Sequence, residues 1–496
     1  MGFQQGKKVV VIGSGIAGLA VSVRLAAMGY RVSVYEANSY PGGKLSEIVQ
    51  DGYRFDAGPS LFTMPHFVTE LFELVGKDPS TFFEYQKLSL VCKYLYEDGL
   101  ELNAYSDWKA FVGEFAKKLN EPERNIEKFL NKSREIYNIT EHVFLQKSLH
   151  LLSTYLNTGT LKSMLQLYKL QINQTMYQAN RHYFNSEKTV QFFNRYATYN
   201  GSNPYKAPAT LNVISYLENE IGAFFPKGGM HSITQSIYKL AKSLGVKFYM
   251  NAPVEEILIA NKKTKGIQVA GEKIDANLVV SNMDMVSTYR RLMKKHTAPE
   301  KLLKQEKSSS ALIFYWGIKK EFPNLDLHNI FFSNNYEKEF DYIAKGEEIF
   351  EDPTVYVNIS SKYQPEDAPK GSENWFTMIN VPNNKGQDWE KLIDTSRQSI
   401  LKKVSKTLQT NVADYLETEA ILDPRLIEKK TSSAQGALYG NSSNTPLAAF
   451  FRHPNFSRKY ADLYFCGGSV HPGGGIPLCL LSAKITADVI NNRDRK

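Results

Sequence analysis

An α/β (α+β) architecture is predicted: a parallel-sheet domain built from both chain ends and a central stretch, with a mixed-sheet domain and a helical region inserted. Three observations carry this prediction. Residues 8–12 form a short apolar run that leads into glycines and then a helical pattern, as a buried parallel strand opening a βαβ unit does. A second such run, Leu463 to Cys466, also meets glycines and is followed by a closing helical pattern from about Leu478 to Ile490. Between them the chain changes character, helical over 107–220 and then rich in β-branched and aromatic residues at 308–318, 354–360 and 376–382.

Each element follows from its own pattern. The first helix spans Ile16 to Met28, and Gly29 marks its end. Arg31 to Tyr35 reads as the second strand, with Glu36 directly after it. In the helical middle, Leu161, Met164, Leu165, Tyr168, Ile172 and Met176 recur at helical spacing. Lys247 to Met250 and Leu278 to Ser281 read as further strands of the first domain. The expected division assigns 1–85, 221–295 and 451–496 to the first domain. It assigns 86–220 to a substrate domain with a helical lid region and 296–450 to a substrate-binding mixed sheet.

Composition excludes several classes. The chain has 496 residues with 42% hydrophobic and 22% charged, so it is long enough for a large core and unlike a disordered chain. Three cysteines, Cys92, Cys466 and Cys479, make neither a disulfide framework nor a four-thiolate zinc site and fit a reducing compartment. The histidines and cysteines show no metal-ligand spacing, so no metal is expected. Lys plus Arg number 60 against 51 acidic residues, a net charge of +9, which suits an anionic surface or merely a soluble one. No motif supports a nucleic-acid partner. No apolar run approaches the ~20 residues needed to span a bilayer, and Gly13 stops the N-terminal run at once.

The first glycines have a chemical reading. Gly13-x-Gly15-x-x-Gly18 follows a predicted strand and opens a predicted helix, and Glu36 lies 18 residues beyond Gly18 at the end of the next strand. The first glycine permits a tight turn, the second lets a pyrophosphate approach the backbone, and the third lets helix pack on strand. The free N–H groups of the helix start then face the phosphates, and Glu36 can accept from ribose hydroxyls. This makes the first domain Rossmann-like. Candidate contacts are Gly13, Ser14, Gly15, Ile16, Ala17, Gly18, Glu36 and Ala37.

Gly42-Gly43-Lys44 and then Phe55-Asp56-x-Gly58-Pro59-Ser60 follow. This combination resembles the flavin-dependent amine oxidase and carotenoid desaturase superfamily, in which Arg usually stands where Lys44 stands here. The terminal segment Gly467-Gly468-Ser469-Val470-His471-Pro472-Gly473-Gly474-Gly475-Ile476-Pro477 is similar to that of bacterial-type phytoene desaturases and their relatives. Phe225-Pro226-x-Gly228-Gly229-Met230, Val279-Val280-Ser281-Asn282, Gly436-Ala437-x-Tyr439-Gly440 and Phe451-Arg452 also match that pattern, so the resemblance covers essentially the whole chain. It implies FAD as cofactor, with further contacts from Gly43, Lys44, Gly58, Pro59, Ser60, Val254, Asn282, Gly467, Gly468, Gly474, Gly475, Ile476 and Pro477.

The resemblance also implies a carotenoid substrate and dehydrogenation by hydride transfer to flavin, with proton loss from the neighbouring carbon. The Gly-Gly-Ser-Val-His variant and the Tyr196-Ala-Thr-Tyr199 segment are more similar to late-pathway desaturases, which perform 3,4-desaturation of hydroxylated or monocyclic (γ-carotene-type) carotenoids. A phytoene-type desaturase, a carotenoid oxygenase of the same family and a non-enzymatic isoprenoid-lipid carrier are the alternatives. His471 either accepts a proton or shapes its loop. Arg195 and Thr198 either face the substrate or pack in a core with a snorkelling arginine. The stripe from Leu161 to Met176, flanked by Lys162 and Lys169, either packs on protein or rests on an anionic membrane. A poorly soluble substrate favours peripheral contact with the inner face of the cell membrane and a cytoplasmic location.

Overall fold

Lys8–Ile12 lies at the centre of a five-stranded parallel sheet in the order Leu463–Phe465, Leu278–Ser281, Lys8–Ile12, Arg31–Tyr35, Lys247–Tyr249. The structure is a computed structural model, and it describes residues 6–141, 145–156, 160, 166–446, 448 and 451–494. Helices cover one face of the sheet, around Val9 and Val11, and a small antiparallel sheet of Val254–Ala260, Lys263–Val269 and Glu272–Asp275 packs on the other, around Val10 and Ile12, so the central strand is apolar on both faces. The helix Ile16–Ala27 packs against Ile476–Asp494 and His231–Ser243, which closes one core from three distant parts of the sequence. Gly29, at φ 89°, ends the first helix where an L side chain would be strained.

The inserted region is built on a seven-stranded mixed sheet. Its order is Leu416–Leu422, Ser310–Ile318, Glu373–Val381, Val355–Ile359, His328–Phe331, Leu90–Leu95, Glu101–Tyr105. The pairings are antiparallel except that of His328–Phe331 with Leu90–Leu95. The strands at 90–95 and 101–105 were not anticipated. Leu90–Leu95 buries two adjacent residues at each step, which hides the two-residue period, and Glu101–Tyr105 alternates but over only five residues.

The long stripe from Leu161 to Met176 is not one helix. Leu161, Lys162, Met164 and Leu165 lie outside the described residues. Beyond them, the 3-10 turn Leu167–Leu170 stops at Gln171, which adopts φ 54°, and a new helix, Met176–Tyr183, starts from a capping box of Thr175 and Gln178. Two local hydrogen bonds at that cap outweigh a helical spacing of apolar side chains. The closing helix is longer than expected at both ends, Ile476–Asp494, because Pro477 is compatible with a first helical turn.

Candidate active site

The carboxyl ends of the parallel strands converge on one cavity of about 1090 Å³. Ligands bind at this edge of open α/β sheets because the loops leave it in opposite directions. Gly13 turns at φ 92° with its N–H donated to the Tyr35 carbonyl at 2.8 Å, which ties the first two strands together at their ends. Gly15 is the N-cap of Ile16–Ala27 and makes no side-chain cap bond, so the helix start is open to the cavity. A Cβ on Gly18 would stand 2.2 Å from the Gly13 carbonyl oxygen, so Gly18 serves the turn-to-helix packing and is not part of the cavity wall.

Asn282 locks three loops together. Its backbone N–H donates to the Ile12 carbonyl at 2.8 Å and its Nδ2 to the Cys466 carbonyl at 3.1 Å. Its Oδ1 lies where a Cβ on Gly15 would come within 2.7 Å, and its Nδ2 where a Cβ on Gly467 would do the same. Glu36 is buried in the wall, and its carboxylate accepts from the Ser14 N–H (2.7 Å), the Ser14 hydroxyl (2.9 Å) and both the backbone and side-chain N–H groups of Asn38 (2.9 Å each). Ser14 therefore acts through Glu36 rather than by lining the cavity. Ala37 and Val254 do line it.

At the other end of the glycine wall, Lys44 Nζ donates to the carbonyls of Ala437 (3.1 Å) and Leu438 (2.7 Å). Burial pushes this ammonium down to about 8, against the attraction of Asp284. A Cβ on Gly58 would lie 2.0 Å from the Lys44 carbonyl oxygen, which explains the spacing of the two motifs. Gly474 sits where a Cβ would meet Tyr439 Cα and Cβ at 2.9 Å, and Gly440 packs in the same way on Ser469. The two late glycine motifs are thus one packing unit. Arg452 is buried in it and donates to the Tyr439 carbonyl (3.2 Å), Asn200 Oδ1 (3.2 Å) and Ser443 Oγ (3.3 Å). Burial pushes its guanidinium down to about 10, so it is charged at neutral pH.

Other motifs prove structural. Asp56 accepts from the N–H groups of Met230 (2.8 Å) and His231 (2.9 Å) and so caps the start of His231–Ser243. Gly229, at φ 79°, leaves room for Arg54 beside that cap.

The cavity continues into the inserted region. Arg195 and Thr198 both line it. The Arg195 guanidinium donates through Nη2 to the hydroxyls of Tyr94 and Tyr199 (3.1 Å) and approaches Glu218 at 3.5 Å. Thr198 Oγ1 donates to the Arg195 carbonyl at 2.8 Å, fixing the turn rather than reaching across the chamber. His471 is elsewhere: it is buried, with Nε2 2.8 Å from the Lys147 carbonyl, and Pro472 rather than His471 reaches the cavity. Burial pushes its imidazole down to about 4, so at neutral pH Nε2–H donates to that carbonyl. The sequence gives no sign of His328, Tyr356 or Glu218, which also line the wall. Single polar residues on strands of the inserted sheet, or on the π-turn Leu217–Ile221, form no spaced motif.

The profile of the flavin containing amine oxidoreductases matches residues 16–491. The chain belongs to this family. It is 51% identical to the 1-hydroxycarotenoid 3,4-desaturase of Flavobacterium sp. (strain P99-3), over 98% of this chain and 99% of that one. It is 32% identical to the 4,4'-diapolycopene oxygenase of Methylomonas sp., over 99% of each. Cyclohexylamine oxidase from Brevibacterium oxydans IH-35A shares the fold, with a TM-score of 0.63 at 15% identity over 99% of this chain and 100% of that one.

The family's flavin, held on a dinucleotide scaffold, is FAD, and the site fits it. An open helix start, a carboxylate at the next strand end and a wall in which Gly15, Gly58, Gly467 and Gly474 leave no room for a Cβ provide for pyrophosphate, ribose and a flat ring in turn. Gly13, Gly15 and Glu36 would hold the nucleotide half. Lys44, Gly468, Gly474 and Arg452 would surround the ring half. Among the described residues no cluster of three or more His, Cys, Asp or Glu could hold a metal ion.

Proposed function

We propose that this protein is an FAD-dependent carotenoid desaturase that introduces the 3,4 double bond of a hydroxylated or monocyclic carotenoid. The observation that supports it most is the single cavity that runs from Glu36 past the late glycines to Arg195, Tyr356 and His328 in the inserted region. Bound FAD supplies the two-electron oxidation, taking a hydride equivalent from one carbon while its neighbour loses a proton. The chain's own residues position the chain and exclude water. Arg452 and Lys44 keep positive charge beside the late glycines, where electron-rich chemistry is stabilised by it. Ile313, Ile330 and Phe376 give the chamber apolar walls suited to a polyene.

In this reading the two chain ends and the central stretch hold FAD, and 86–220 with 296–450 hold the carotenoid. Among the described residues no helix is long and apolar enough to cross a membrane. Leu152, which opens the short helix Leu152–Tyr155, and Leu156, directly after it, are 77% and 79% exposed, close in sequence to Leu145 in the cavity wall. That pairing supports uptake of substrate from the inner face of a membrane by a cytoplasmic protein. Flotation of the protein with anionic vesicles, weakened in Leu152→Glu/Leu156→Glu, tests the point.

The functional reading is tested by product analysis after incubation of the FAD-loaded protein with a 1-hydroxycarotenoid. A product two mass units lighter with a longer-wavelength spectrum is expected. The oxygenase name of the 32% identical relative favours a second reading, which predicts incorporation of oxygen instead.

A further inference from the structure

The chamber wall carries two buried hydrogen-bond donors with nothing to donate to. His328, only 3% exposed, begins the strand His328–Phe331. Its Nδ1 lies 2.7 Å from the Tyr356 hydroxyl and 3.1 Å from Asn358 Nδ2. The same Nδ2 donates to the Leu327 carbonyl at 3.0 Å, which fixes the amide so that it presents N–H to the ring. Nδ1 must therefore accept. A neutral imidazole that accepts at Nδ1 carries its proton on Nε2, and Nε2 has no partner among the described residues. Burial and the nearby Arg195 charge push this imidazole down to about 3, so it is neutral at any working pH.

Arg195 provides the second donor. Its guanidinium lies about 5 Å from the ring centroids of Tyr94, Tyr196 and Tyr199, and Nη2 is occupied by the tyrosine hydroxyls and Glu218. Its Nε is buried without a partner. Glu218 already balances its charge, so the site suits a neutral oxygen rather than an anion. Leaving two buried donors unpaired costs folding free energy, which a ligand oxygen would restore.

We infer that His328 Nε2–H and Arg195 Nε–H form a subsite for a neutral oxygen on the substrate, a tertiary alcohol beside the bond that is oxidised. The inference rests on the desaturase reading and names the group that the chamber selects. Its position suits that chemistry. Tyr356, bonded to His328, is also 2.8 Å from Ser60 Oγ, two residues from Gly58, which packs on Lys44 beside the cofactor wall. In a 1-hydroxy chain the oxygen is only three bonds from C3, so its donors must stand close to the oxidant. A site built for a hydroxyl discriminates strongly against the analogue that lacks it, because its own polar groups are then left unpaired.

The test is a competition between an acyclic 1-hydroxycarotenoid and its 1-deoxy counterpart, read as the ratio of kcat/KM values at matched FAD occupancy. Wild type should prefer the hydroxylated chain by at least ~10-fold. His328→Leu should lose most of that preference, because its kcat/KM falls much further on the hydroxylated chain than on the deoxy chain. His328→Gln, whose amide N–H can stand in for Nε2–H, should keep a preference between the two. A wild type that does not discriminate, or a His328→Leu that slows both substrates equally, would overturn the subsite while leaving the desaturase reading intact. Should the variants fail to fold, the wild-type ratio alone decides it. Dehydrogenation of neither substrate by wild type would remove the desaturase reading, and the subsite with it.

Discussion

At position 15 a single methyl group is already too large. Its Cβ would stand 2.7 Å from Asn282 Oδ1, and Asn282 cannot withdraw because its Nδ2 is fixed on the Cys466 carbonyl. Gly15→Val is therefore expected to abolish FAD binding, read as flavin absorbance after reconstitution, while circular dichroism stays close to wild type. Equal flavin content in variant and wild type would contradict the assignment. A second pair of substitutions separates packing from proton transfer. His471→Ala should slow flavin reduction by less than the hundredfold that a required base supplies, since Nε2 is committed to the Lys147 carbonyl outside the cavity wall. Gly474→Val, driven into Tyr439, should stop turnover. Single-turnover reduction at matched FAD occupancy distinguishes the two. The glycines and Glu36 were legible in the sequence because tight backbone approach leaves a fixed spacing. His328 was not, because a lone polar residue on a strand acquires its meaning only from Tyr356 and Asn358, which lie some thirty residues away.

At the scale of elements, strands with uniform burial were easy to read. Lys8–Ile12, Leu278–Ser281 and Ser310–Ile318 are almost wholly buried, and their apolar runs say so. The helical stripe beyond Leu161 misled because side-chain period is silent about a backbone break such as Gln171. The helix Tyr336–Lys345 carries a pH signature that no pattern announces. Glu339 is 2% exposed and accepts from the Thr354 N–H (3.1 Å) and hydroxyl (2.7 Å). Burial, only partly offset by those bonds, pushes its carboxyl from 4.5 up to about 7. The folded state then binds more protons than the unfolded one between those values. Stability from this group is fully present below pH 4.5 and is lost as pH rises through 7, a change of about 3 kcal/mol. Glu339→Gln should show a smaller fall in Tm between pH 5 and pH 8 than wild type. An identical fall in both proteins would place the pH dependence elsewhere.

For the whole molecule, the parallel sheet draws its strands from residues 8–35, 247–281 and 463–465, and the mixed sheet from 90–105 and 310–422. Neither is contiguous, so the site exists only when the two are folded together, with the cavity as their common product. The double origin of the first sheet was legible because glycines follow its strands at both chain ends. The reach of the second sheet back to residue 90 was not, since its pairing with His328–Phe331 is set by tertiary contact. The central claim is that this cavity brings a carotenoid bond against FAD. Anaerobic mixing of the FAD-loaded protein with one equivalent of a 1-hydroxycarotenoid tests it most directly. Bleaching of the flavin absorbance, in step with a red shift of the polyene spectrum and no need for nicotinamide nucleotide, is the predicted result. Polyene conversion without flavin reduction, or a flavin that stays oxidised while the carotenoid is bound, would contradict it.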